Sequence, residues 1–263
     1  MQPDVLSPEG LSLRSAAELK AIFRGGWSAP ERVEGWFSSS LNSEFWDPEC
    51  REAWKDALDR AVADVPPGPV LDCGTGPGTI SLMWAELGHA VTGIDFSPTM
   101  LEMARRVAAE HGLRAKFMEG DAESLPFKGE QFSIVSARFL LFTLPNPGYA
   151  IRRWVELLEP GGALVIVGHD FHPGVERQPE ERPKGPSSDT RVGWQITEEY
   201  KGALAELPFM DHKRGHVQVV MEAAGLKNIR SVPIDDLIRA RTRYAETQER
   251  PVHSTPYILV GRK

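Results

Sequence analysis

Two sets of side chains in this sequence have types and spacing suited to chemistry. The first is a binding set: Asp72, then glycine at every second position, Gly74, Gly76 and Gly78, and a further carboxylate, Asp95, beyond them. Glycines so spaced allow a sharp turn of positive φ and let a ligand reach the backbone, because no Cβ stands in the way. A carboxylate about 20 residues past such a loop is where a nucleotide-binding α/β unit receives the two ribose hydroxyls. The dinucleotide pattern Gly-x-Gly-x-x-Gly does not fit, since Thr79 stands where its last glycine belongs and Gly78 comes one residue early. The second set is His169, Asp170 and His172. A histidine oriented by a carboxylate is a general base, so His169 is the candidate base and Asp170 its orienter; the alternative is a histidine held only as hydrogen-bonded structure. His212 and His216 form a second choice of base. Two-residue spacing without a third ligand is poor support for a metal, and none is expected.

These residues need elements to hold them. Pro69 to Leu71 reads as a buried strand and Thr79 to Leu87 as a helix, so the glycines join strand to helix. Ala90 to Ile94 is a second strand ending at Asp95. Ser97 is the N-cap of the next helix, with Pro98 in its first turn and Met100, Leu101, Ala104, Val107 and Ala108 facing inward. A third strand, Ala115 to Glu119, leads into Gly120-Asp121-Ala122-Glu123-Ser124-Leu125-Pro126-Phe127. Phe132 to Ser136 is the fourth strand. Asn146 is expected to cap a helix carrying Ile151, Trp154, Val155 and Leu158, and Pro160-Gly161-Gly162 to stop it before a fifth strand, Ala163 to Val167. Val217 to Ala224 reads as a helix, and Lys227 to Ile234 and Tyr257 to Gly261 as the last two strands.

Five landmarks therefore stand in order: Asp72-x-Gly74-x-Gly76-x-Gly78, Asp95, Asp121 before Leu125-Pro126-Phe127, the fourth-strand segment, and Leu157-Leu158-Glu159-Pro160-Gly161-Gly162. Over about Pro69 to Val167 the chain resembles the class I S-adenosylmethionine-dependent methyltransferases, and within them the small-molecule branch called type 11. The resemblance implies an α/β, Rossmann-like seven-stranded mixed sheet with the last strand antiparallel and helices on both faces. It also implies S-adenosyl-L-methionine as cofactor. Asp72, Gly74, Gly76, Gly78 and Asp95 would line its seat. Asp121 would receive the adenine amine, a backbone N–H near Ala122 would serve the ring nitrogen, and Phe96 and Met100 would cover the base. Arg138 belongs to the same neighbourhood and either anchors an anionic substrate or ties down a loop carboxylate. Many relatives carry a histidine after the fourth strand where this chain has Phe142-Thr143, so no base is inherited from that position.

Residues 1–64 form an N-terminal helical segment, a possible active-site cap, ahead of a domain spanning 65–263 with a lid-like insertion at about 170–215. Within the segment, Ala16, Leu19, Ile22 and Phe23 share one helical face, and Asp47 and Pro48 start a helix running to Ala63. It also holds Trp27, Trp36, Trp46 and Trp54 with Phe37 and Phe45. These rings either pack the helices onto the sheet or roof an active site. Trp27, Trp36, Phe142 and His172 are the candidate substrate contacts. A net charge of -7 and no dense Lys/Arg block argue against nucleic acid, and Arg239, Arg241 and Arg243 read as a solvated helix face. Two cysteines, Cys50 and Cys73, exclude a disulfide framework, and no apolar run reaches membrane-spanning length, so a cytoplasmic protein is expected. The expected activity is methyl transfer to a small-molecule acceptor. The alternatives are a methyltransferase of RNA or protein, and a non-catalytic S-adenosylmethionine-binding protein.

Overall fold

The computed structural model describes residues 14–37, 44–129, 131–171, 197–209, 214–248 and 254–263. Seven strands form one sheet in the order β3-β2-β1-β4-β5-β7-β6. Five run parallel: β1 (Val70–Cys73), β2 (Val91–Asp95), β3 (Lys116–Glu119), β4 (Phe132–Arg138) and β5 (Leu158–Phe171). Between β6 (Lys227–Ser231) and β5 lies β7 (Ser254–Arg262), antiparallel to both. The central strands β1, β2 and β4 are buried along nearly their whole length because helices cover both faces, whereas the edge strand β3 is exposed at Lys116 and Glu119. On one face α3 (Pro48–Val62), α4 (Thr79–Glu86) and α9 (Asp235–Thr247) bury Trp54, Trp84 and Leu237 against Val70, Ile134 and Val165. On the other, α6 (Pro147–Leu157) and α8 (Arg214–Ala223) bury Trp154 and Met221 against Leu71, Val135 and Leu164.

Of the remaining helices, one packs on β2 and β3 and the others gather against it and one another. Helix α5 (Pro98–Glu110) takes Ser97 as N-cap, whose hydroxyl accepts from the Met100 N–H, and packs with Val33 of α2 (Pro30–Phe37). Helix α1 (Ala16–Ser28), opened by a Ser15/Glu18 capping box, packs with α7 (Glu198–Ala205) through Leu19, Phe23, Tyr200 and Ala203. The first three helices thus divide by packing. Helix α3 belongs to the sheet's own layer, whereas α1 and α2 lie with α5 and α7.

Four local readings are corrected. Strand β5 begins at Leu158, within the Leu-Glu-Pro-Gly-Gly run, through a register shift against β4 between Phe132 and Ile134, so the glycines make an irregularity in the strand and not a stop before it. It also continues to Phe171, which leaves His169 inside the strand, opposite Pro256. Asn146 occupies the N-cap position of α6 without a side-chain cap; its amide donates to Glu123 at 3.3 Å, a longer-range partner that takes it from the helix. Arg241 is buried and not on a solvated face, because α9 packs on the sheet, whereas Arg239 and Arg243 pair at the surface with Asp236 and Glu49.

Candidate active site

Strand β1 has β2 on one side and β4 on the other, so the chain reverses its progress across the sheet there, and the crevice at the C-terminal ends of such strands is the usual ligand seat. The β1–α4 loop fills that point. Gly74, Gly76 and Gly78 have φ of 65, 54 and 83°, a region that side-chain-bearing residues avoid. Their roles differ. A Cβ on Gly78 would lie 3.1 Å from the Ala104 methyl and 3.2 Å from Phe117, so this glycine lets α4 approach α5 and does not line the cleft. Gly76 faces open space, with the Met100 sulfur nearest at 4.0 Å. Both Gly74 and Gly76 line the cleft.

Three carboxylates border the same cleft. Asp95 ends β2, and its two oxygens accept the backbone N–H groups of Gly76 and Ser97, each at 2.9 Å. Burial pushes its pKa up to about 6, against the pull of these hydrogen bonds. Each oxygen keeps a second lone pair, which suits a ligand offering two hydroxyl donors. Asp72 is buried deeper and accepts from the hydroxyls of Ser81 at 2.9 Å and Ser136 at 2.8 Å. Burial raises its pKa, opposed by these hydroxyls and by the charge of Arg138. Asp121 follows β3 in a turn held by its own acceptance of the Glu123 N–H at 2.8 Å and by Trp154, whose indole donates to the Ala122 carbonyl at 2.9 Å.

The cleft encloses about 940 Å³, part of it open to solvent. Phe96, Met100 and Ala122 stand near the carboxylates, Lys20, Phe23 and Trp27 of α1 lie across from them, and Arg138 to Leu140 with Thr143 to Pro145 close the end. The Arg138 guanidinium lies 4.6 Å from the ring centre of Phe45 and 4.5 Å from that of Phe139, a cation–π arrangement that keeps it flat against the wall. Ten residues expected at a cofactor seat thus divide into nine that border the cleft and Gly78, which does not.

The expected acid–base pair does not assemble. His169 is buried against the Phe139 ring, 4.3 Å between ring centres, and borders a smaller adjoining cavity with Phe142 and Tyr257. Burial, with the charges of Arg241 and Arg138, drives its pKa well down, so it stays neutral. Asp170 points away to Arg214, at 3.3 Å, because neighbouring residues of a strand face opposite sides. Phe142 likewise lies on the adjoining cavity and not on the cleft. Of the aromatic set, Trp27 reaches the cleft; Trp54 stacks on Phe45 inside the core, and Trp46 stacks on His111. The side chain of Trp36, with His172, His212 and most of the 170–215 insertion, lies outside the described residues.

Sequence reasoning missed Lys20, Phe23 and Phe139 as cleft residues. For Lys20 and Phe23 a signal existed, since they precede Trp27 by seven and four positions and so share its helical face. Phe139 has none: it adopts a φ of 54° just after β4, which no residue pattern announces.

Residues 70–162 match the methyltransferase-domain family. A demethylmenaquinone methyltransferase of Thermus thermophilus is 38% identical over 113 residues, 42% of this chain and 51% of that protein. The chain spans about half the length of the curated relatives it matches first. Among solved structures, phosphoethanolamine N-methyltransferase 2 of Haemonchus contortus, in complex with S-adenosyl-L-methionine, aligns with a TM-score of 0.60 at 15% identity, over 93% of this chain and 60% of that one. The cyclase SpnF aligns with a TM-score of 0.52 at 20% identity, over 80% of this chain and 79% of that one. These structural likenesses are likenesses of fold.

Proposed function

We propose that residues 70–162, which match the methyltransferase-domain family, are the core of a class I methyltransferase that binds S-adenosylmethionine in this cleft and transfers its methyl group to a small-molecule acceptor. When bound, the cofactor supplies an electrophilic methyl on a sulfonium. The carrying observation is that the glycine loop, Asp95 and Asp121 border one cleft whose opposite side carries Phe23 and Trp27 beside Lys20. In this reading Asp95 takes the ribose hydroxyls, Asp121 the adenine amine, and Phe96 and Met100 the faces of the base. Phe23, Trp27, Phe139 and Leu140 exclude water from the methyl end and hold an acceptor with an apolar body, while Arg138 offers a cation to an anionic group on it.

No histidine lines the cleft among the described residues. The chain's contribution is then chiefly alignment in a dry site, an effect that supplies up to roughly 7 to 11 kcal/mol in well-oriented reactions. That favours an acceptor that is nucleophilic or acidic by itself. The net charge of -7 speaks for a small molecule over RNA. No helix among the described residues is long and apolar enough to cross a membrane.

Calorimetry with S-adenosylmethionine, S-adenosylhomocysteine and NAD, followed by incubation with methyl-labelled cofactor and a metabolite extract, tests the reading. Binding of the first two but not NAD, with label in a low-molecular-mass product, is expected. Failure to bind S-adenosylhomocysteine, or label only in macromolecules, would overturn it.

A further inference from the structure

Helix α1 lays one face along the cleft. Lys20, Phe23 and Trp27 all line it, a stripe roughly 10 Å long at the helical rise. The C-terminal end of this helix is tied to the entry of α5: the Ser97 hydroxyl donates to the Trp27 carbonyl at 2.7 Å, and the Thr99 hydroxyl to that of Ser28 at 2.8 Å. Toward the other end, Lys20 Nζ stands 2.7 Å from Asp121 Oδ2 and 2.6 Å from Glu123 Oε2. Glu123 is almost wholly buried, and the Asn146 backbone N–H and side-chain amide also donate to it. The second Asp121 oxygen accepts the Glu123 N–H. Burial alone would lower the Lys20 pKa, but the hydrogen bonds to both carboxylates outweigh it and the ammonium is retained.

We propose that Lys20 is a positioning residue that couples docking of α1 over the cleft to occupancy of the adenine subsite, through the single carboxylate Asp121. The inference rests on the reading of Asp121 as the adenine acceptor. A carboxylate has about four acceptor sites, and Lys20 and Glu123 use two at Asp121, so an adenine amine can be added without displacing the ammonium. In the free protein Lys20 and Asp121 are 28% and 34% exposed, so their pair is screened by water and adds little to the firmer hold of Glu123, which is 3% exposed. A nucleoside against Asp121 displaces water from the pair and strengthens it, because the attraction grows as the local dielectric falls. Linkage is reciprocal, so a docked α1 must retain the nucleoside by the factor with which the nucleoside retains α1. Phe23 and Trp27, carried on the same helix, are then held over the cleft whenever the adenine end is filled.

The test follows release of S-adenosylhomocysteine by stopped-flow tryptophan fluorescence, together with amide exchange of residues 16–28 with and without it. Lys20→Met should release it about tenfold faster, the effect expected from the loss of the charge-assisted contact to Asp121, and lose the protection that the ligand confers on α1. Lys20→Arg should recover most of both. Asp121→Asn should also speed release, and the double variant should be no faster than the worse single one. Wild-type release and protection in Lys20→Met, beside weakened binding in Asp121→Asn, overturns the coupling alone. Wild-type affinity in Asp121→Asn overturns the adenine reading beneath it.

Discussion

At the scale of the residue, Asp95 carries the clearest pH signature. Its folded pKa is raised by burial to about 6, whereas the unfolded chain titrates at the ordinary aspartate value. Between the two the folded state holds more protons, so raising the pH through this window removes stability from the ligand-free protein, and the loss is complete above about 6. Hydroxyl donors need the ionised form, so ligand affinity moves the opposite way. Affinity for S-adenosylhomocysteine should be about tenfold weaker at pH 5 than at pH 7.5, with its midpoint near 6, since about one molecule in ten is ionised one unit below the pKa. A flat calorimetric profile over that range would show that Asp95 does not hold the ribose. His169 gives the contrasting case. It lies inside β5 against Phe139 and off the cleft, so His169→Ala should cost about 1 to 3 kcal/mol of stability by leaving a hole. The pH profile of turnover should keep its shape; loss of its acidic limb in the variant would restore His169 as a base.

At the scale of the element, a buried polar chain ties α4 to β1 and β4. The Trp84 indole donates to Ser136 at 3.1 Å, Ser136 and Ser81 donate to Asp72, and Thr75 and Ser81 are joined at 2.8 Å. Ser81, Trp84 and Ser136 anchor Asp72 and Thr75 at the root of the glycine loop, so the chain fixes the angle at which the loop leaves β1. Ser136→Ala leaves the Trp84 N–H without its acceptor and Asp72 without one donor. Unfolding in urea should show a loss of about 1 to 3 kcal/mol with an unchanged slope. A change of a few tenths would mean that the network is not under tension from burial. Helices α1 and α2 show a different economy. Arg32 lies 4.0 Å from the Trp27 ring and 4.1 Å from that of Tyr200, and Phe23 meets Tyr200 edge-on, which joins the N-terminal helices to α7. The covering of the cleft therefore draws on two segments far apart in the chain.

At the scale of the whole molecule, the seven strands and the crevice at β1 were legible in the sequence. The central strands are buried runs bounded by their own turn residues, whereas β6 is largely polar and exposed, and Asp95 and Asp121 are set by the lengths of successive strand–helix units, which are local quantities. The same locality explains the misreadings. Whether β5 ends at Val167 or runs on to Phe171 depends on β7, which pairs with it over nine positions and carries His169 inward. Whether an arginine on α9 is solvated depends on which helix face the sheet receives. The sequence by itself determined the seat, a turn of glycines followed at measured distances by two carboxylates, because backbone conformation and strand–helix periodicity are encoded by near neighbours. Only the tertiary structure decided what closes over that seat. Lys20 meets Asp121 across 101 residues, and a contact of that kind is selected by the packing of whole helices, whose surfaces no short stretch of sequence specifies.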